Sequence, residues 1–220
     1  MIIESGVALH IVNTIGYNPS FSGIIIKLIG NILTGDSQDV NEMVKYGVIE
    51  LLENLYINNN SQQNPLLEKE ILWAISNITA GNISDINFFM RSKFVKILFE
   101  KAYVIRNNNL MIELIWIFSN AISGGGVEVA CDLIKMGILE MYVYIIDNFE
   151  AEIIILVALA GLRSLFGHGE IVKPLTEKNP ILESFCKLGG ISSLEKLSNS
   201  NKNEISMKVE QIIKEYFFIE

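Results

Sequence analysis

The chain repeats itself. Ile29-Gly30-Asn31-Ile32-Leu33-Thr34-Gly35 returns as Ile75-Ser76-Asn77-Ile78-Thr79-Ala80-Gly81 and as Phe118-Ser119-Asn120-Ala121-Ile122-Ser123-Gly124, and in degenerate form as Gly161-Leu162-Arg163-Ser164-Leu165-Phe166-Gly167. The steps from Asn31 to Asn77, from Asn77 to Asn120 and from Asn120 to Ser164 are 46, 43 and 44 residues. A second landmark is a glycine ahead of an apolar run: Gly6-Val7, Gly47-Val48-Ile49, Gly137-Ile138-Leu139 and Gly190-Ile191. A period in the forties without strand alternation belongs to helical solenoids, whose units bury their remaining faces only against neighbours. The spacing predicts an all-α chain forming a single array over 1–220, with repeats at 1–35, 36–81, 82–124, 125–169 and 170–220, about four and a half units in all.

Within a period the signals predict a short, a medium and a long helix. Leu66 to Ala80 is apolar at 67, 71, 74, 75 and 78, with Pro65 suited to the start and Gly81 to the stop. Ser84 to Arg91 reads as a short helix capped by Ser84, and Phe94 to Val104 as an amphipathic one. Val7 to Ile15 reads as a medium helix. Asp36 and Asp39 read as capping residues, and Gly124-Gly125-Gly126 as a turn after a helix. His168 is expected in such a turn as well. Loops are expected at 58–64, 107–109 and 173–180. The long helices are apolar on more than one side: Ile112, Leu114, Ile115, Ile117 and Phe118 cannot all face one small core.

Composition narrows the function classes. Half the residues are hydrophobic and 19% charged, which excludes a disordered chain. Seventeen basic against 25 acidic residues leave −8. Such a chain is a poor general binder of nucleic acid and suits basic partners. The longest apolar run, Ile153 to Leu162, is too short for a bilayer, which takes ~20 residues in a helix; no membrane partner is expected. Cys131 and Cys186 lie in apolar stretches and read as small buried hydrophobes, and His10 and His168 lack cysteine partners, so neither a metal nor a cofactor is expected. No nucleophile with a base stands out, so no catalytic residues are assigned and the chain does not read as an enzyme.

The residues that point to a ligand lie on successive long helices. Trp73 and Asn77 are four apart, as are Trp116 and Asn120, and Glu70 and Glu113 each precede the tryptophan by three. Indole, amide and carboxylate then share a face. A tryptophan alone reads as core and an asparagine alone as a helix-end cap. Glutamate in register on the same stripe argues for a face open to solvent and to a ligand. Lys27 and Asn31 hold the same positions in the first repeat, and Ala160 and Ser164 in the fourth, where the groove is expected not to hold a peptide.

Gly30 to Asp36, Trp73 to Asn82 and Trp116 to Gly125 resemble the C-terminal armadillo repeats of the importin alpha family, and the similarity runs on to Tyr216-Phe217. The resemblance implies a right-handed superhelical armadillo solenoid acting as a nuclear import adaptor in cytoplasm and nucleus. It implies binding of basic nuclear-localisation-signal peptides at the family's minor site, with the major site and the importin-beta-binding segment absent from this chain. Importin beta would be met through that missing segment, and an export factor at the C-terminal repeats. The implied peptide-binding residues are Lys27, Asn31, Glu70, Trp73, Asn77, Glu113, Trp116 and Asn120. A carbonyl near Leu33 and the turn at Thr34 and Gly35 would take another lysine head. Two departures bear on this: Val40 stands near a usual threonine, and Lys93 replaces a usual glycine. The alternative is an armadillo scaffold or assembly protein with a different extended peptide partner.

Overall fold

The structure is a computed structural model that describes residues 22–58, 64–176 and 178–217. Among these residues it is helical without a strand. The helices are α1 (Ser22–Leu33), α2 (Ser37–Lys45), α3 (Val48–Asn58), α4 (Pro65–Thr79), α5 (Ile83–Arg91), α6 (Phe94–Lys101), α7 (Asn108–Met136), α8 (Ile138–Asn148), α9 (Glu152–Thr176), α10 (Pro180–Lys187), α11 (Gly190–Ser198) and α12 (Asn203–Tyr216). They form two compact units, the first ending at Gly124 and the second beginning at Gly125. The expected helix at Val7 to Ile15 and most of the 58–64 loop lie outside the described residues.

Helix starts follow side-chain chemistry. Asp36 caps α2 by accepting from the backbone N–H groups of Gln38 and Asp39, and Asn64 caps α4 with Pro65 in the first turn. The cap of α5 is Asn82, not Ser84: its side chain accepts from the N–H groups of Ser84 and Asp85. The recurring glycine marks the corner between the short and the medium helix. Gly47, Gly137 and Gly189 have φ of 84°, 95° and 78°, a left-handed turn that a Cβ disfavours. In the last repeat the corner therefore falls on Gly189, one residue before the expected Gly190. Lys93 keeps φ at −68°, so the α5–α6 corner is made without the left-handed residue.

Two expected stops are overridden. α7 runs through Gly124 and Gly125, and only Gly126 leaves helical geometry, at φ 74° and ψ −170°. The glycine run is thus a kink between a long and a short helix rather than a full turn. α9 continues to Thr176, so His168 lies within a helix and the loop expected from 173 starts later. α6 is shorter than expected, ending at Lys101. Both α7 and α9 contain stretches long and apolar enough to cross a membrane by length and composition, but more than half of each such stretch is buried within the protein.

In the first unit Leu114, Ile115, Ile117 and Phe118 of α7 are all fully buried, as expected of a helix with neighbours on several sides. Phe118 meets Phe99 edge-on at 5.5 Å, and Phe94 packs on Tyr56 at 5.2 Å. In the second unit Phe166 is the hub, with Phe185 at 5.1 Å and Tyr216 at 5.5 Å. Each such ring contributes ~1.5–3 kcal/mol by burial. The cysteines depart from expectation: Cys131 is half-buried and Cys186 exposed.

Candidate peptide-binding face

The two asparagines of the repeated motif do the same thing in successive repeats. Asn77 Nδ2 donates to the Gly30 carbonyl at 3.2 Å, and Asn120 Nδ2 donates to the Ser76 carbonyl at 3.1 Å. Each accepting residue immediately precedes the motif position of the repeat before, Asn31 or Asn77. The amide therefore staples one long helix to the next. An amide has two N–H donors and an accepting oxygen. The staple uses one donor and fixes the plane of the group. Both side chains are half-buried, and Oδ1 and the second N–H remain as a donor–acceptor pair at repeat spacing. Neither asparagine caps a helix end, which settles one of the two bland readings of the motif.

The tryptophans differ from each other. Trp116 is 39% exposed, whereas Trp73 is half-buried against α1. A Cβ at Gly30 would overlap the Trp73 six-membered ring, so glycine is required there by close approach. Lys27 and Asn31 are exposed on α1 on either side of Gly30.

The acidic residues are brought together. Glu113 is largely buried, with 14% of its side chain exposed, and its cationic neighbour is Lys69 at 3.9 Å. Burial pushes its pKa above the usual carboxylate range. Lys69 opposes the shift and the charge of Glu70 adds to it. Lys69 was not singled out in the sequence, because nothing in its own repeat distinguishes it. Its partner is on the next long helix.

Leu33, Thr34 and Gly35 end α1 beside Asn77. With Val40, Gly81 and Asn82 they line a cleft of about 460 Å³. Thr34 Oγ1 donates to the Asn31 carbonyl at 2.8 Å, and Gly35 N–H donates to that of Ile32 at 2.9 Å. The Leu33 side chain is buried, so only its backbone can serve a ligand. Val40 supplies a methyl group to this cleft and no hydroxyl. Behind it Asp85 is fully buried and accepts from Asn41 Nδ2 at 3.1 Å. In the second unit α12 is tied to α9 by another residue outside the register: the Tyr216 hydroxyl lies 3.4 Å from the carbonyl of Arg163, the residue that precedes Ser164.

No family model matches this chain, and no curated protein matches it in sequence. Its fold matches solved structures closely. A designed armadillo repeat protein in complex with the peptide (KR)4 superposes with a TM-score of 0.82 at 21% identity, over 97% of this chain and 83% of that one. Computationally designed armadillo repeat proteins for modular peptide recognition give 0.83 at 20% identity, over 97% and 84%. A further designed armadillo repeat protein gives 0.80 at 20% identity, over 97% and 83%. At these identities the likeness establishes the fold: the chain is an all-α, armadillo-repeat solenoid.

Proposed function

We propose that this chain binds an extended basic peptide of the nuclear-localisation-signal type along the face carrying Trp73, Asn77, Glu113, Trp116 and Asn120. The observation that carries the reading is the pair of stapled amides, Asn77 and Asn120, held in the same orientation on successive long helices. Long helices pack ~8–10 Å apart and an extended chain advances ~3.3 Å per residue, so one amide meets the ligand backbone about every third residue. Between the amides the exposed face of Trp116 can take the stem and charge of a lysine or arginine. Glu113, poorly solvated and bridged only at long range to Lys69, is an acceptor for that charge. The cleft at Thr34, Gly35 and Asn77 has room for a further side chain. The designed neighbour carrying (KR)4 has the same fold and supports a basic ligand.

On this reading the protein acts as a nuclear import adaptor with the chemistry of the importin alpha minor site, working in cytoplasm and nucleus. Importin beta and an export factor would be its transport partners. The test is fluorescence anisotropy with a labelled Lys/Arg-rich peptide and an acidic peptide of equal length. The basic peptide should bind, and more weakly at 1 M salt, where the Debye length is ~3 Å. Equal affinity for both peptides would reject the proposal.

A further inference from the structure

The stripe that carries Trp and Asn in the first unit changes character in the second. By repeat register Ala160 and Ser164 take those positions on α9, and Lys208 on α12 stands 44 residues beyond Ser164. A cleft of about 310 Å³ lies there, lined by apolar Ala160 and Ile212 and by Arg163, Lys208, Glu215 and Tyr216. It has no indole, and where the first unit carries glutamates it holds Arg163 and Lys208 beside a single carboxylate, Glu215.

The cations are set up differently. Arg163 is clamped by Glu215, with Nε to Oε2 at 2.8 Å and Nη2 to Oε1 at 3.3 Å. That bidentate pair fixes the guanidinium plane and uses one edge of its donor fork. Nη1 makes no bond among the described residues, so the opposite edge is presented ready-oriented. Lys208 is exposed and has no ion pair among the described residues. Glu170, whose charge also reaches Tyr216, is itself bound to Lys173 and Asn179. The single proton of the Tyr216 hydroxyl is directed at the Arg163 carbonyl, 3.4 Å away, and burial chiefly pushes its pKa up to about 12. Two cations stand against one carboxylate that already serves Arg163, which leaves Lys208 as the uncompensated charge of the cleft.

We propose that the α9–α12 cleft, expected from the sequence alone to hold no peptide, binds an anionic side chain, a carboxylate or a phosphoryl group, carried on an extended peptide. Arg163 offers its open edge in bidentate fashion, Lys208 adds a mobile charge, and Ala160 leaves the space that a tryptophan would fill.

The experiment is an NMR titration of the isotope-labelled full chain, read at the Arg163 Nε–H resonance. The probes are short, otherwise uncharged peptides bearing one phosphoserine, one glutamate or one lysine. A saturable shift with phosphoserine or glutamate, and none with lysine, is expected, and whichever responds more strongly identifies the source of the anion. Lys208→Glu, on an exposed site, should weaken that binding by ~10-fold or more while the other resonances report an intact fold. It should leave the affinity for a basic peptide unchanged, so this site and the basic-peptide face fail independently. No saturable shift with either anionic peptide, an equal response to lysine, or unaltered affinity in Lys208→Glu would overturn the proposal.

Discussion

Single residues on the proposed binding face carry different mixtures of duty. Trp116 is partly exposed, while Trp73 closes over Gly30. Trp116→Ala should therefore cost ~1–2 kcal/mol of basic-peptide affinity with little change in melting temperature. Trp73→Ala should lose stability as well, because it opens a void over α1. Anisotropy and thermal melts on both variants check this; a Trp116→Ala protein that melts early and binds fully would make Trp116 a core residue. On the proposed reading Glu113 trades stability for ligand binding. Its raised pKa means that the folded state holds the proton more tightly than the unfolded chain. The stability penalty of the charged form is therefore present in full above the folded pKa and is relieved as pH falls through it. Glu113→Gln should raise the melting temperature at pH 7 and lower basic-peptide affinity, and its stabilising effect should shrink on acidification. A constant difference in melting temperature across that range would remove the ionised Glu113 from this account.

At the scale of elements, α3, α4 and α6 are tied by a buried polar cluster. The Tyr56 hydroxyl donates to Glu68 Oε1 at 2.9 Å, and Lys101 Nζ lies 3.0 Å from the same oxygen, with Glu68 only 2% exposed. Burial, with Glu68 adding to it, holds the Tyr56 hydroxyl pKa far above its ordinary value. Lys101→Met strands a buried carboxylate and should cost ~3–5 kcal/mol in urea unfolding, whereas Lys101→Met combined with Glu68→Leu should recover most of it. If the single and double variants are equally unstable, the cluster is not coupled. This network was not legible in the sequence, although Glu68 stands two residues from Glu70. Two residues turn a helix by about 200°, and only the structure tells which of two neighbouring acids faces in. The recurrence of Trp, Asn and Glu in register was legible, but the open face expected from the glutamates was not met at Glu113, whose side chain is only 14% exposed. The stapling role of Asn77 was not, because its partner is a backbone carbonyl that every residue possesses. Gly124 and Gly167 read as stops from local propensity, yet packing carries α7 and α9 past them.

For the whole molecule, stability should be distributed rather than all-or-none. Each repeat depends on its neighbours, and the chain resolves into two compact units. Both tryptophans, Trp73 and Trp116, belong to the first unit, whereas helices fill both. Guanidinium unfolding followed by tryptophan emission should therefore separate from unfolding followed by far-ultraviolet ellipticity. Coincident curves with a single slope would mean that the units unfold together. The staples carry a consequence for how such a chain can change over generations. The joint between repeats is made to a main-chain oxygen, and the donor is an asparagine in one place and a tyrosine in another. A repeat exchanged at that seam finds a main-chain acceptor whatever side chain stands there, while a ring such as Trp73 still demands a glycine opposite, so what neighbouring repeats must keep in step is the ring and its glycine rather than the amide and its acceptor.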